Sequence, residues 1–238
     1  MNEPREGDRA RPLARDALTI CMSKTPSMRP VERKLKLIGR SSSHFTRVAR
    51  IFAAELGVAY SFQAVPDLLS TNAADYAGNP ALRLPILESP SGSWFGTLNI
   101  CRELARHSTR TIRLIWPEDS QEPLLNNAQE FAVQAMTTEV ELVMASLARE
   151  SSSGAIHTKQ QASLLNLLVW LNGHVDAALA ALPVTRELSY FEVTLFCLLT
   201  HLEFRGVVPV APYPALLAFS AQFGARDSAR ETAFRFDV

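Results

Sequence analysis

The stretch "KLKLIGRSSSHFTRVARIFAAELG", residues 34–57, contains the change of hydrophobic period that decides the fold. Its first six residues, "KLKLIG", begin with alternating polar and apolar side chains, as a half-buried β-strand does. From Phe45 to Leu56 the apolar side chains recur at helical spacing, and Gly57 is a typical helix stop. Three serines and a histidine stand between the two patterns. The stretch therefore predicts a strand, a turn and a helix, with small hydroxyl groups crowded at the helix start.

Residues 58–107 continue the pattern of a small α/β unit. Hydrophobic period and turn residues predict a strand at about 59–64, a short helix from Asp67 to Ala77, strands in "LPILE" and "SWF", and a helix from Thr97 to His107. This order of elements predicts a mixed sheet with helices on its faces. We assign residues 34–110 to this unit.

The second half of the chain shows only helical periodicity. Long helices are predicted over about 124–147 and 162–182, a third after Ser189, and a fourth from "APYP" to about Phe223. Ser189 and Glu192 have the spacing of a capping box. No strand is predicted here, and residues 120–238 are assigned to an all-helical domain. Residues 1–33, which are polar and lack any period, are predicted to be a disordered tail.

Charge and cysteine content exclude several classes of protein. The 24 basic and 24 acidic side chains cancel, and no basic stripe is present, so nucleic acid is not an expected partner. No apolar run approaches the ~20 residues that span a bilayer, so we expect neither a membrane nor a signal peptide. Three widely separated cysteines without metal-type spacing indicate a reducing compartment and no metal site. The protein is therefore expected to be soluble and cytoplasmic.

Four segments resemble the glutathione transferase superfamily, specifically its serine-type, bacterial-like members. "SHFTRVARIFAAELG" resembles the first helix of that family, and "NPALRLPILE" is similar to its Asn-Pro-x-x-x-Val-Pro-x-Leu box. "FGTLNICREL" resembles the segment usually written Glu-Ser-x-Ala-Ile, and "SYFEVTLF" resembles the start of a core helix. The resemblance implies a thioredoxin-like N-terminal domain with a mixed four-stranded sheet, followed by an all-α C-terminal domain.

The resemblance also gives the crowded serines a chemical role. A free thiol has a pKa of ~8.5, so a protein that uses glutathione as a nucleophile must stabilise the thiolate. A hydroxyl at a helix start can donate a hydrogen bond to the sulfur, and the helix dipole adds partial positive charge. Counting back from Glu55 and Gly57 places Ser43 at the family's activating position, whereas counting back from Arg47 points to Ser42. Both remain open, and Ser43 is favoured.

The same resemblance implies where glutathione binds. Pro85 is expected to follow a cis peptide bond, so that the backbone of Leu84 pairs with the cysteinyl part of glutathione. Thr97 and the backbone N–H of Leu98 are expected to hold the γ-glutamyl carboxylate at a helix start. Gly96 stands where an acidic residue or Gln usually contacts the γ-glutamyl amine, and this departure should weaken binding.

Several conspicuous side chains are predicted to be structural. His44 is interpreted as an exposed residue of the first helical turn, with the lining of the pocket as the alternative. Arg47 and Arg50 are interpreted as part of a solvated helix face. His201 is predicted to pack in a central helix. Cys101 and Cys197 are interpreted as small buried hydrophobes.

The resemblance therefore implies an enzyme that conjugates glutathione to a small electrophile bound between the domains. Glutathione is the expected co-substrate, and a homodimer is the expected assembly. The alternative is a non-catalytic binding or scaffold protein on the same fold, since a fold does not fix a function.

Overall fold

The computed structural model describes residues 34–149 and 154–237. These residues fall in one compact unit. The predicted tail, residues 1–33, and most of the linker "ESSSG" lie outside the described residues. The domain boundaries at 110 and 120 stay a prediction, because the described residues pack continuously across them.

A four-stranded mixed sheet forms the first layer, and it confirms the predicted thioredoxin-like fold. The strands are β1 (Lys36–Gly39), β2 (Ser61–Ala64), β3 (Ile86–Ser89) and β4 (Gly92–Phe95). Their order across the sheet is β2-β1-β3-β4. Strand β1 pairs parallel to β2 and antiparallel to β3, and β4 pairs antiparallel to β3 at the edge.

Two helices, α1 (His44–Leu56) and α2 (Thr97–Arg106), pack together in this part of the chain. Apolar side chains of α1 such as Val48 and Ile51 are fully buried, as its period predicts. Gly57 ends α1 in the left-handed conformation with φ of 66°. At Gly39 a Cβ atom would lie 2.5 Å from the side chain of Thr46, so β1 and α1 approach closely only because this residue is glycine.

The helix predicted from Asp67 to Ala77 is wrong, since only a single 3-10 turn forms at Ala73–Tyr76. Polar side chains upstream bond to nearby backbone groups instead of allowing a helix. Asp67 accepts from the N–H of Leu69, and Asn72 caps the turn by accepting from Ala74. Such local bonds compete directly with helical hydrogen bonds.

The rest of the chain is mainly helical, as predicted. Its helices are α3 (Pro123–Leu147), α4 (Ala155–Ala181), α5 (Tyr190–Arg205), α6 (Pro214–Gly224) and α7 (Asp227–Glu231). Helix α5 is buried along most of its length and contacts α1, α3 and α6. Its first turn is capped by Ser189, whose hydroxyl oxygen accepts from the N–H of Glu192. The carboxylate of Glu192 accepts from the hydroxyl of Ser189 and from Arg186, so only half of the predicted capping box forms.

One pairing in this part of the chain was not predicted. Strands β5 (Leu114–Ile115) and β6 (Leu188–Ser189) form a two-residue parallel pair. This pair ties the segment after α2 to the start of α5. Strands of two residues carry no period, so the sequence pattern could not indicate them.

Helix α4 is long and apolar enough to cross a membrane by length and composition alone, with a mean hydropathy of 1.3 over its most apolar window. This finding differs from the expectation that no segment reaches that length. In the structure α4 packs along α3 and against α6, and 28% of that window is buried. Core helices of other proteins pass the same test, so length and composition are weak evidence of a span.

Candidate functional site

A cavity of about 600 Å³ brings most of the predicted site residues together. Its walls come from the turn before α1, the loop before β3, the start of α2, and the facing sides of α3 and α5. Ser42, Ser43, Leu84, Pro85 and Thr97 all line it. The side chain of Leu98 does not line this cavity and packs against the core instead. Predicted residues that lie far apart in the chain therefore meet at one concave site.

Ser43 caps helix α1. Its backbone is extended, with φ of −102°, and its Oγ accepts a hydrogen bond from the N–H of Thr46 at 3.3 Å. The bond uses a lone pair of the hydroxyl oxygen and leaves the hydroxyl hydrogen available. Capping and donation to a ligand are therefore compatible at Ser43.

Ser42 lies beneath this position. The residue is only 1% exposed, although it also lines the cavity. Its carbonyl oxygen accepts from Nε2 of His201 at 2.9 Å and from Arg205 at 3.4 Å. The backbone of Ser42 is thus directed towards α5.

The loop before β3 contains the expected cis peptide bond between Leu84 and Pro85. Asn79, which belongs to the same sequence box, fixes the shape of this loop. Its amide donates to the carbonyl of Arg83 at 2.7 Å and accepts from the N–H of Ala81 at 3.0 Å. Asn79 is 4% exposed, so these bonds form away from solvent.

The start of α2 faces the cavity. Thr97 is its first residue and is buried, and the first N–H groups of a helix have no partner within it. Gly96 precedes the helix with φ of 81°, a conformation that side chains rarely adopt. The absence of a side chain at this position therefore suits the turn, whatever it costs in ligand contacts.

A buried polar cluster lies beside the cavity and corrects the prediction for His44. His44 is fully buried rather than exposed, and its Nδ1 lies 3.1 Å from Oε2 of Glu139 on α3. Burial lowers the pKa of His44 to about 4, against the opposite effect of its bond to Glu139. Burial alone would raise the pKa of Glu139, but hydrogen bonds from His201 and His44 hold it below its ordinary value.

His201 completes this cluster from α5. It is 3% exposed, as a packing residue should be, but its ring is fully engaged in polar contacts. Nδ1 lies 2.7 Å from Oε1 of Glu139, and Nε2 lies 2.9 Å from the carbonyl oxygen of Ser42. Donor atoms of His44, Glu139 and His201 lie within 4.8 Å of one another, a grouping of ligand types found at metal sites. Hydrogen bonds already account for both Nδ1 atoms and both carboxylate oxygens.

The prediction that Arg47 and Arg50 form a solvated helix face is wrong, because they are only 5% and 8% exposed. Arg47 donates to the hydroxyl of Thr200 at 2.7 Å and to the carbonyl of Ala229 at 2.9 Å. The guanidinium also stacks on two phenylalanine rings, those of Phe196 and Phe234. Arg47 thus joins α1 to α5 and α7 from inside the protein.

The last described residues of the chain contact the serine turn, which comprises residues 41–43 before α1. The carboxylate of Asp237 accepts from the N–H of Ser41 at 2.8 Å, and the N–H of Arg235 donates to the Ser41 carbonyl at 3.4 Å. Residues separated by 196 positions in the chain are therefore in direct contact. No local pattern could have predicted this pairing.

One residue of the cluster does leave a signal in the sequence. Glu139 follows Ala128, Ala132 and Ala135 on one buried face of α3, and Leu142 continues that face. A charged residue at such a position is almost never buried without a partner. The period of α3 could therefore have indicated a buried carboxylate, although not that its partners are His44 and His201.

Comparisons with known proteins agree with this arrangement. Residues 37–110 match the family model of the glutathione S-transferase N-terminal domain. No curated protein sequence gives a significant match to the chain.

Solved structures of glutathione transferases superpose on most of the chain. A glutathione S-transferase from Methylobacillus flagellatus KT with glutathione bound is 20% identical, with a TM-score of 0.66, covering 85% of this chain and 100% of that chain. A family member from Pseudomonas fluorescens Pf-5, also with bound glutathione, is 19% identical, with a TM-score of 0.68 and the same coverage. One from Methylobacterium radiotolerans in complex with glutathione sulfonate is 16% identical, with a TM-score of 0.65, covering 86% and 97%. The chain therefore has the glutathione transferase fold, and its residues 37–110 match the N-terminal domain of that family.

Proposed function

We propose that this protein is a serine-type glutathione transferase, similar to bacterial members, that conjugates glutathione to a small electrophile. The observation that carries the proposal is the position of Ser43. Its hydroxyl caps α1 and lines the same cavity as Leu84, Pro85 and Thr97. The structures compared above that hold glutathione or its sulfonate support glutathione as the co-substrate.

Ser43 would stabilise the thiolate in this proposal. Its hydroxyl hydrogen is available for the sulfur, because Thr46 uses only a lone pair of Oγ. The amino end of α1 adds partial positive charge at the same place. Each contribution is worth ~1 kcal/mol or more when shielded from water, and the two together would lower the pKa of the thiol by about one to two units.

The remainder of glutathione would lie along the loop before β3 and the start of α2. The backbone of Leu84 would pair with the cysteinyl group, and Thr97 with the N–H of Leu98 would bind the γ-glutamyl carboxylate. Arg40 and Arg83 also line the cavity and add positive charge near an anionic peptide.

The electrophile would bind on the side of the cavity formed by α3. Val140, Val143 and Met144 give this side an apolar surface, and Phe45 of α1 adds to it. The thiolate sulfur forms a bond to the electrophilic carbon, and with an aryl halide the halide leaves with its bonding electron pair. The protein would act by positioning the two reactants and by keeping the sulfur ionised.

The alternative is a binding or scaffold protein that keeps the fold without the reaction. The observation in its favour is Gly96, which provides no side chain for the γ-glutamyl amine. A scaffold with a damaged peptide site would fail to bind glutathione, whereas a weakened enzyme would bind it at millimolar concentration and turn over.

A pair of measurements separates these functions. We expect glutathione at millimolar concentration to raise the melting temperature, and the protein to be retained on immobilised glutathione. We also expect turnover of a generic aryl halide above the uncatalysed rate. Binding without turnover would favour a non-catalytic protein that binds glutathione, and absence of both binding and turnover would favour the scaffold with a damaged peptide site.

We also propose a cytoplasmic homodimer that requires no metal. Apolar side chains are exposed on α4, where Ile156 is 76% and Val169 is 63% exposed, and at the edge strand β4, where Phe95 is 36% exposed. Contact with a second copy would remove such surface from water. Light scattering at micromolar concentration tests the assembly, and a monomeric mass would contradict it.

A further inference from the structure

We propose that His201, held by Glu139, is a positioning residue that fixes the serine turn for thiolate stabilisation. The inference rests on the proposed function, because it assigns His201 a role in presenting Ser43. His201 itself does not contact the sulfur. It acts through the carbonyl of Ser42, which belongs to the peptide group that immediately precedes Ser43.

The peptide group between Ser42 and Ser43 is held at both ends. Its carbonyl oxygen accepts from Nε2 of His201 at 2.9 Å, and its N–H donates to the carbonyl of Arg40 at 3.1 Å. A planar peptide fixed at both ends cannot rotate. The carbonyl of Ser43 also accepts from the N–H of Arg47 at 2.9 Å, so the backbone is held on both sides of the Ser43 Cα atom. The hydroxyl is thereby kept at the start of α1.

Glu139 and Ser42 hold the ring of His201 through its two nitrogens. Nδ1 lies 2.7 Å from Oε1 of Glu139, and Nε2 lies 2.9 Å from the carbonyl oxygen of Ser42. A carbonyl oxygen can only accept, so the bond to Ser42 requires that Nε2 carries the hydrogen. The contact with Glu139 fixes the ring and thereby directs Nε2 at Ser42.

His44 and Arg205 also lie against His201. His44 approaches from α1 with its ring centroid 4.3 Å away, and it already shares the Glu139 carboxylate. Arg205, one turn further along α5, donates to the carbonyl of Ser42 at 3.4 Å, and its Nε lies 3.4 Å from Nε2 of His201. The contact of His201 with Ser42, at 2.9 Å, is the shortest of these. Phe234 covers the ring of His201 at 5.0 Å between centroids. The contact of His201 with Ser42 is therefore shielded from water, which strengthens it.

A matched pair of substitutions separates positioning from simple packing. In His201→Gln the side-chain amide nitrogen occupies the place of Nε2 and can still donate to Ser42. In His201→Asn the amide nitrogen occupies the place of Nδ1 and can reach only Glu139. The asparagine variant therefore keeps the contact with Glu139 and loses the hydrogen bond to the Ser42 carbonyl. The glutamine variant keeps the hydrogen bond to Ser42 and loses the contact with Glu139.

We expect His201→Asn to lower turnover at saturating glutathione about tenfold, with the KM for glutathione changed less than about threefold. His201→Gln should retain about a third or more of the turnover. The pKa of the bound thiol, followed by thiolate absorbance, should rise in the asparagine variant and not in the glutamine variant. Equal losses in the two variants, or a greater loss in the glutamine variant, would show that His201 only packs.

Glu139→Leu tests the second half of the proposal, with Glu130→Leu as its control. Glu130 lies on the same helix but is exposed and bonds to Gln134. We expect Glu139→Leu to reduce turnover at least fivefold because nothing then holds Nδ1 of His201, and Glu130→Leu to have no effect. Glu139→Gln, whose side-chain amide can still bond to Nδ1, should retain most of the turnover. Full turnover in Glu139→Leu would overturn the role of Glu139 in holding His201.

A measurement without glutathione keeps the outcome distinct from failure of the proposed function. In protein labelled with ¹⁵N-histidine, Nε2 of His201 should give a protonated signal that exchanges slowly with water, assigned by its loss in His201→Gln. This result supports the hydrogen bond to Ser42 even if the protein never binds glutathione. A His201 signal that shows Nε2 without a hydrogen, or bound to a metal, would overturn it, whatever the enzyme assays give.

Discussion

Nδ1 of His44 lies 3.1 Å from Oε2 of Glu139, and both side chains are fully buried. The carboxylate accepts this hydrogen bond, so the ring of His44 is oriented with Nδ1 towards α3. Nε2, on the other side of the ring, has no hydrogen-bond partner among the described residues. Protonating it would place a charge where nothing accepts its proton, which is the physical reason why burial lowers the pKa of His44 to about 4.

This relationship predicts a loss of stability in mild acid. The unfolded chain binds a proton at His44 near pH 6.5, whereas the folded protein does so only near pH 4. Protonation therefore favours the unfolded state as the pH falls from 6.5 to 4, and the stability present above pH 6.5 is lost across that interval. We expect the free energy of unfolding to fall by about 2 to 3 kcal/mol from this group, measured by urea denaturation at pH 7 and pH 4.5.

His44→Asn is the matched variant for that experiment. Its amide nitrogen can replace Nδ1 as the donor to Glu139, but it does not titrate. The variant should therefore lose less stability than the wild type between the same two pH values. Parallel losses in the two proteins would contradict the assignment to His44.

Arg47 should contribute strongly to stability because its guanidinium is buried among acceptors and aromatic rings. Arg47→Met keeps much of the apolar stem but leaves the hydroxyl of Thr200 and the carbonyl of Ala229 without this donor. We expect a loss of about 2 to 4 kcal/mol in urea denaturation. Arg47→Lys should recover little, because an ammonium group lacks the planar fork that reaches both acceptors.

The control for Arg47 is Arg230→Met on α7. Arg230 is exposed, and it pairs with Asp227 at the surface. Such pairs contribute little, so we expect a change within about 0.5 kcal/mol. A comparable loss in the two variants would mean that buried contacts of Arg47 are not the source of its effect.

Gly96 gives a prediction that separates backbone strain from ligand contact. At φ of 81°, Gly96→Ala should cost about 1 to 3 kcal/mol in stability. Gly173→Ala in α4, where nothing lies within 4 Å of the added Cβ, should instead stabilise by up to about 1 kcal/mol. If Gly96→Ala were neutral, the strain argument would be wrong.

Gly96→Gln shares the backbone strain of Gly96→Ala and adds a side-chain amide. If a residue at this position contacts the γ-glutamyl amine, Gly96→Gln should bind glutathione several-fold more tightly than Gly96→Ala. Calorimetric titration of the two variants measures the difference. Equal affinities would show that a side chain at position 96 does not contact the γ-glutamyl amine. Gly96 would then no longer argue against glutathione binding.

Local patterns were enough to predict the strands and helices that build the cavity. The change of period before Phe45 and the stop at Gly57 mark the bounds of α1. Both signals depend only on residues in or next to this helix, so the sequence alone shows them. The segment from Asp67 to Ala77 failed for a local reason too, since its polar side chains bond to their own backbone. The apolar helical patterns around Cys101 and Cys197 also predicted that both side chains are buried, which the structure confirms.

The interior polar contacts could not be predicted in this way. The helical period shows that His44 and Arg47 lie on a particular side of α1. It does not show that this side is buried, because the burial depends on α3, α5 and α7 packing over it. A polar residue on such a surface is interpreted as solvated unless its partner is known. For His44 that partner is 95 positions away, so only the folded chain shows it.

The position of Ser43 leads to a prediction about stability as well as chemistry. Its Oγ accepts from the N–H of Thr46, so Ser43→Ala removes a helix cap and should cost about 1 kcal/mol. Ser42 makes its described contacts through its carbonyl, which a substitution by alanine retains. Ser42→Ala should therefore change stability less.

The two serines differ more sharply in the expected chemistry. Most contacts to glutathione would come from Leu84, Thr97 and Leu98, so Ser43→Ala should change glutathione affinity only a few-fold. The lost hydrogen bond favours only the thiolate, so the pKa of the bound thiol should rise by about one unit and turnover near neutral pH should fall at least tenfold. Thiolate absorbance titrated with pH in both variants measures this. A rise in Ser42→Ala alone would move the activating position to Ser42, and no rise in either variant would leave the serines as helix caps and remove the proposed mechanism.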